Sequence, residues 1–285
     1  MALKFPIVPM KASLGSLPPE SEDDRWAYEI KWDGYRTIAF VDNGAVRLQS
    51  TKGLDATRTY PEIGGLPEAV NAPSAILDGE LVVLDPTGRA SFEMLQRHEV
   101  QATYYVFDVL QIDGKDTISL PYEQRRALVA DLVDPSPNWS VPAHRIGDGA
   151  ALLQATFDRG LEGVMAKRLG SIWEPGKRVP YWRKVKNRYR LDVVIGGFTP
   201  GTGNRDGTLR FAGGVGTGFN HKLLESMTKQ MRALKSDHCP FSTIPPRSYT
   251  RAGVTWVKPT LTATIELTEL TNEGYVRQAA FIHLK

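Results

Sequence analysis

The chain has 285 residues, 41% of them hydrophobic and 24% charged, with a formal net charge of +3 and a single cysteine, Cys239. That length suggests about two domains, each with enough apolar residues for a core. No apolar run approaches the ~20 residues of a membrane helix and the N-terminus lacks the apolar stretch of a signal peptide, while one cysteine leaves no internal disulfide and no structural zinc site. A monomer in a reducing cytoplasm, with no membrane partner, is expected.

In chain order, WAYEIKWDGYRTIAFVDNGAVRLQS (26–50) reads as strand, Asp-Gly turn, strand, Asn-Gly hairpin, strand. Lys31 sits inside the alternating apolar run just before Asp33-Gly34. Alone, a Lys-x-Asp-Gly is far more often a solvated charge beside a turn than a nucleophile. SAILDGELVVLD (74–85) and ATYYVFDVLQIDGK (102–115) are further strands ending in Gly turns, and the first puts Asp78 and Glu80 on one face. SFEMLQRHEV, LPYEQRRALVADLV and GDGAALLQATFDRG carry helical spacing with an N-cap or a Gly stop. GLEGVMAKR (160–168) reads as an apolar strand with Glu162 near its start and Lys167 at its end. YWRKVKN (181–187) places Lys184 and Lys186 on one strand face, a two-ammonium clamp suited to a phosphate. Strands and helices mix without a regular βαβ beat, so residues 1–188 are expected to form a layered α+β domain.

From residue 191 the texture changes. Short strands separated by Gly-rich turns (191–220) lead into one helical stretch, HKLLESMTKQMRAL, and then a strand-rich run, 254–271. This is the pattern of a small Greek-key barrel of the OB type over residues 189–285, with a polar, basic boundary near Arg188–Arg190. Residues 189–285 hold twelve Lys and Arg against seven Asp and Glu, whereas 1–188 hold twenty-three against twenty-five. Between Lys167 and Arg190 nine basic residues meet one acid, Glu174, with Trp173, Tyr181, Trp182 and Tyr189 interleaved. A polyanion partner is the leading explanation, and a solvated charged face the alternative.

Each signal has a bland reading: Glu80 or Glu162 as a strand cap, Lys184 and Lys186 as edge charges that discourage aggregation, Phe107 as an ordinary core ring. Their order is harder to dismiss. Lys31-Trp-Asp33-Gly34-Tyr-Arg36, Asp78-Gly79-Glu80, Val106-Phe107-Asp108, Glu162-Gly163-Val164-Met165-Ala166-Lys167 and Trp182-Arg183-Lys184-Val185-Lys186 resemble, in order, motifs I, III, IIIa, IV and V of the covalent nucleotidyltransferases. Among these, the chain is similar to bacterial ATP-dependent DNA ligases of the C and D types, a group linked to end joining and gap repair.

The resemblance implies an α+β adenylation domain of antiparallel sheets flanked by helices, then an OB-fold barrel. It implies a three-step reaction: Lys31 attacks the ATP α-phosphate to form lysyl-AMP, AMP passes to a nick 5′-phosphate in duplex DNA, and the 3′-OH displaces it. A lysine nucleophile needs desolvation or neighbouring cations, and its electrophile needs charge neutralisation. By the resemblance, Asp33 orients Lys31 or a metal, and Lys184 and Lys186 hold the α-phosphate. Glu162, with Glu80, would ligate Mg²⁺ or Mn²⁺, or Glu80 would accept a ribose hydroxyl. Phe107 would stack on adenine for on the order of 1 kcal/mol beyond its burial, with Val164 on the other face of the base and Ile30 beside the nucleotide. Arg36 would reach the ribose or the nick phosphate, and Lys52, Lys167, Arg178, Arg183 and Arg188 would contact DNA.

Two departures accompany these matches. Ser50-Thr51-Lys52-Gly53 has Thr where the family's motif Ia carries Arg, so that Lys52 offers a point charge without bidentate geometry. The final motif, which in the family ends with a basic residue and then Asp and orients the leaving pyrophosphate in the first step, is here represented by Arg277 in GYVRQAAFIHLK. An RNA ligase, a GTP-dependent capping-type nucleotidyltransferase and a non-catalytic DNA-binding module with a decayed ligase core are the competing readings.

Overall fold

The computed structural model describes residues 3–198, 209–250, 253–270 and 274–285. The Gly-rich run 199–208, expected to form turns, and Thr271, expected to end a strand-rich run, lie outside them. The chain divides into two compact units, Met1–Asn187 and Arg188–Lys285.

The first unit opens with strands β1 (Lys11–Leu14), β2 (Trp26–Ile30), β3 (Tyr35–Asp42), β4 (Ala45–Ser50) and β5 (Ser74–Val82). Helix α1 (Phe92–Arg97) leads to β6 (Thr103–Ile112) and β7 (Lys115–Asp116), and helix α2 (Tyr122–Leu132) to β8 (Trp139–Ser140) and β9 (His144–Ile146). Helix α3 (Gly149–Asp158) precedes β10 (Gly163–Arg168) and β11 (Arg178–Lys186). The expected helices and strands form, and for local reasons. Ser91 caps α1 by accepting a bond from the Met94 amide at 3.3 Å. Asn43 and Gly44 take positive φ, 45° and 81°, which is the two-residue turn an Asn-Gly hairpin requires between β3 and β4.

These strands sort into two mixed sheets. One has the order β1-β11-β10-β2-β9; the other has β4-β3-β5-β6-β7, with β8 beside β6. Pairing is antiparallel except at β1 with β11 and β6 with β8. The sheets meet through Ala27, Ile38, Ile76, Leu110, Tyr122, Trp173 and Trp182. The outer face of the second sheet is covered by a larger core that includes Val129 and Leu132 of α2. The outer face of the first packs Val164, Ala166 and Val185 against Leu152 and Leu153 of α3.

β2 and β3 do not pair. They belong to different sheets, so the Asp33-Gly34 segment is a crossing between layers rather than a hairpin turn. Gly34 is required there by close approach: a Cβ would stand 2.1 Å from the Leu81 carbonyl oxygen.

The second unit is built on two long strands, β12 (Tyr189–Phe198) and, after α4 (His221–Ala233), β13 (Lys235–Ser236) and α5 (Arg247–Thr250), on β14 (Thr255–Leu267). Then come β15 (Glu269–Leu270), β16 (Val276–Arg277) and β17 (Ala280–Leu284). β12 pairs along most of β14, whose other edge takes β13 and β17. Asn220 caps α4 through the Leu223 amide at 2.9 Å, and the helix buries Met227 and Met231 against Val193, Val257 and Ile265. Among the described residues no helix is long and apolar enough to cross a membrane.

Candidate active site

The site is assembled by strand register. Across the first sheet, Glu29 of β2 lies opposite Met165 of β10, and Met165 opposite Lys184 of β11; likewise Ile30, Val164 and Val185 form one row. Because side chains alternate, Glu29, Met165, Lys167, Trp182, Lys184 and Lys186 share the side that faces the second sheet. Ile30, Val164 and Val185 share the other, and there Val164 and Val185 are buried with Trp26 and Tyr28 beneath α3.

Lys31 continues the inward row at the end of β2, its amide bonded to the Gly163 carbonyl at 2.9 Å. Gly163 adopts φ 139°, and a Cβ there would meet the Val185 carbonyl oxygen at 2.1 Å, so glycine is what lets β10 begin this close to β11. The Lys31 ammonium contacts Glu162 Oε2, and Lys186 Nζ lies 2.8 Å from Glu162 Oε1. One carboxylate thus holds two ammoniums.

From the second sheet, β5 brings Asp78 and Glu80 to the same inward face, as their spacing implied. Burial pushes the Glu80 carboxyl up to about 7, opposed by the positive charges of Lys31, Arg36 and Lys184. Lys184 is pushed down, first by burial and then by Lys31, Arg36 and Arg178. A cradle that lowers a lysine through like charge favours an incoming polyanion, which relieves that repulsion. Arg36 is held by Asp78: Nε donates to Oδ1 at 2.9 Å and Nη2 to Oδ2 at 2.6 Å, while Nη1 donates to the Met10 carbonyl at 2.5 Å. The Trp173 indole donates to the same Asp78 at 3.1 Å. Three of the five guanidinium N–H groups are so committed. Phe107 of β6 is half-buried between the sheets, edge-on to Trp182 at 6.5 Å, with the Arg36 Cζ 5.6 Å from its ring centre.

Three sequence expectations change, those for Val164, Ile30 and Lys167. Val164 lies on the outer side of its sheet, so its neighbour Met165 is the one that β10 turns towards the second sheet; the Ile30 side chain is displaced from the site by the same register. Lys167, expected on a DNA surface, is 1% exposed and donates to Glu29 at 2.7 Å, with its ammonium over the rings of Phe107, Trp182 and Tyr122. Arg183 points to the outer side, its guanidinium 4.6 Å from the Trp26 ring centre. Lys52 and Arg178 are exposed, Asp33 is half-buried in the inter-layer crossing, and Arg188 is ion-paired with Glu266 at 2.7 Å. Arg277 is exposed in β16, opposite Glu269 in register.

The sequence reading missed Glu29, Met165 and Tyr122. Glu29 is two residues before Lys31 and Met165 two before Lys167, so alternation from those lysines would have found both. Tyr122, whose hydroxyl donates to Glu29 from the first turn of α2, carried no local signal. Among the described residues no cluster of three or more His, Cys, Asp or Glu is arranged for a metal. Glu80 and Glu162 are two hard oxygen donors, a set suited to Mg²⁺ or Mn²⁺ shared with phosphate oxygens and water rather than to an all-protein cage.

Two facing sheets with a lysine-rich cradle, followed along the chain by an OB-fold unit, define a covalent nucleotidyltransferase. Family models bear directly on this: that of the ATP-dependent DNA ligase domain matches residues 9–186, and that of the ATP-dependent DNA ligase C-terminal region matches residues 192–285. The chain belongs to the ATP-dependent DNA ligase family. It is 36% identical over 294 residues to the multifunctional non-homologous end joining DNA repair protein LigD of Mycobacterium tuberculosis, covering 98% of this chain and 38% of that protein. With LigD of Pseudomonas aeruginosa the figures are 33% over 302 residues, covering 98% and 35%. The chain thus spans little more than a third of the length of these relatives. The solved ligase domain of M. tuberculosis LigD is 35% identical with a TM-score of 0.59, and a mycobacterial DNA ligase D complexed with ATP and MES is 34% identical with a TM-score of 0.60. Each match covers 98% of this chain and 95% of the solved one.

Proposed function

We propose that the chain seals nicks in duplex DNA with ATP, through lysyl-AMP and DNA-adenylate, and that it works in double-strand-break or gap repair with end-joining proteins. The observation that carries the reading is the ion-paired cluster of Lys31, Glu162 and Lys186 at the inner edge of the first sheet, with Lys184 and Glu80 beside it.

In step one, Lys31 Nζ gives up its ammonium proton to solvent and the freed amine forms a bond to the ATP α-phosphorus as the bond to pyrophosphate breaks. Glu162 keeps Nζ oriented, and Lys184 and Lys186 are placed to stabilise the charge that accumulates on the five-coordinate phosphorus. Phe107 and Met165 form the walls between which the base is held. In the later steps a 5′-phosphate oxygen displaces Lys31 from AMP, and the 3′-OH then displaces AMP. Glu80 and Glu162 are the residues that would hold a divalent cation, whose contribution when bound is to neutralise phosphate charge. Lys52 and Arg178 supply exposed positive charge for the DNA backbone.

The test is intact mass after incubation with ATP and Mg²⁺. A gain equal to AMP, absent from Lys31→Ala and not produced by GTP, supports the reading. Labelling by GTP alone, or an undiminished gain in Lys31→Ala, overturns it.

A further inference from the structure

The second unit carries an aromatic cluster that its core does not absorb. The Phe211 ring centre lies 4.8, 5.7 and 6.2 Å from those of Tyr249, Phe241 and Tyr275, and that of Phe241 lies 5.9 Å from Trp256. None of the five belongs to the core built around Val193, Val257 and Ile265. Segments distant in sequence are tied together to make the cluster. The Ser242 amide donates to the Leu209 carbonyl at 2.8 Å and the Val276 amide to the Ala212 carbonyl at 2.7 Å, one tie on each side of Phe211 along the chain. Gly196 leaves room for the Phe241 ring, which a Cβ there would meet at 2.7 Å. Tyr249 is presented by α5, its amide bonded to the Pro246 carbonyl at 2.9 Å.

A cluster needed only for packing would be covered. Here Phe241 alone is buried, Phe211, Trp256 and Tyr275 are half-buried, Tyr249 is 41% exposed, and Ile244, between Phe241 and α5, is 77% exposed. An open apolar surface of this kind marks a place of interaction. Charge says with what. Residues 209–220, 238–258 and 274–285, which supply all five rings, hold six Lys or Arg and no Asp or Glu, and Arg210, Arg247 and Arg277 are exposed. Rings set among positive charge suit a polyanion that also offers flat apolar faces. Duplex DNA hides those faces in its stack, whereas a single strand exposes them. The four ring contacts are edge-on, so none of these rings lies flat on another in the cluster and a base can stack there.

We infer that this aromatic surface binds single-stranded DNA, unpaired bases stacking on Tyr249 and Phe211 while the flanking arginines hold backbone phosphates. The inference goes beyond the sealing of duplex nicks, since binding here needs neither ATP nor a nick. It gives the chain a grip on the unpaired stretch of a gap or an overhang, which a duplex-reading surface lacks.

The experiment measures, by fluorescence anisotropy without ATP, the affinity of the full chain for labelled oligo(dT) and for an abasic oligonucleotide of equal length, which carries the same phosphates and no bases. Thermal unfolding of each variant accompanies it. The parent is expected to bind oligo(dT) at least about fivefold more tightly than the abasic strand. Tyr249→Ala is expected to lose most of that preference while its affinity for the abasic strand stays within about twofold of the parent. Arg247→Ala is expected to weaken both strands alike, as a phosphate contact does. Should Tyr249→Ala unfold below the assay temperature, Tyr249→Leu, which keeps apolar volume without a ring, carries the same readout. Equal binding of the two strands by the parent, or an undiminished preference in folded Tyr249→Ala, overturns the inference.

Discussion

Glu80 and Lys184 carry opposite consequences of the same burial, one pushed up and the other down. The Glu80 case fixes a sign. Its carboxyl is near 4.5 unfolded and about 7 folded, so the folded state binds the proton more tightly. The associated stability is complete below ~4.5 and is lost as pH rises through ~7, at most about 3 kcal/mol. Glu80→Gln does not titrate. Denaturant unfolding should show the parent losing stability relative to Glu80→Gln between pH 5 and pH 8 on the order of 2–3 kcal/mol; identical pH profiles would refute the account. A second residue-scale prediction follows from register. Met165→Ala should raise the ATP requirement with a small change in stability, whereas Val164→Ala, beneath α3, should cost on the order of 1–3 kcal/mol and leave ATP capture intact. Assaying the pair for adenylylation and unfolding checks this, and the reverse assignment of effects would refute it.

At the scale of elements, the segment from Lys31 to Arg36 joins two sheets rather than two strands of one hairpin. Its glycine is set by the Leu81 carbonyl, 2.1 Å from where a Cβ would stand. Gly34→Ala must push β5 from the crossing or twist the crossing itself, at a cost of about 1–3 kcal/mol. Since Lys31 and Glu80 flank that contact, adenylylation should fall at least tenfold even where the variant remains folded. Normal adenylylation by a stable Gly34→Ala would show that the crossing does not position the nucleophile. The helices matter here through what they deliver inward. Helix α2 sends Tyr122 to Glu29 and Arg125 to Asp108, the latter as a two-pronged ion pair at 2.9 and 3.0 Å with both side chains fully buried. Removing one partner of such a pair typically costs 3–5 kcal/mol, which makes α2 a structural support of the site.

For the whole molecule, charge is unevenly shared, the residues after 188 carrying a net +5 (twelve basic, seven acidic) and those up to 188 a net −2 (twenty-three basic, twenty-five acidic). Affinity for nicked duplex DNA is therefore expected to fall steeply with salt, and each of Lys52→Ala and Arg178→Ala should make the log–log slope shallower by about one. Binding measured between low and physiological salt checks this, and slopes unchanged in both variants would exclude these residues from the interface. The expected strand and helix runs were legible because each carried its own period and stop signal, as in the Asn43-Gly44 hairpin. The chemistry was legible because Lys31, Glu80, Glu162, Lys184 and Lys186 occur as residue types in a fixed order. Spacing alone also put Lys184 with Lys186 and Asp78 with Glu80, since a strand alternates with period two whatever surrounds it. Which of the two faces turned inward was decided only by tertiary structure. β10 is buried on both sides, with Val164 and Ala166 as fully covered as Lys167, so polarity gave no means of telling its inner from its outer face. Only the placement of the second sheet on one side and α3 on the other assigns Met165 and Lys167 to the site and Val164 to the outer core.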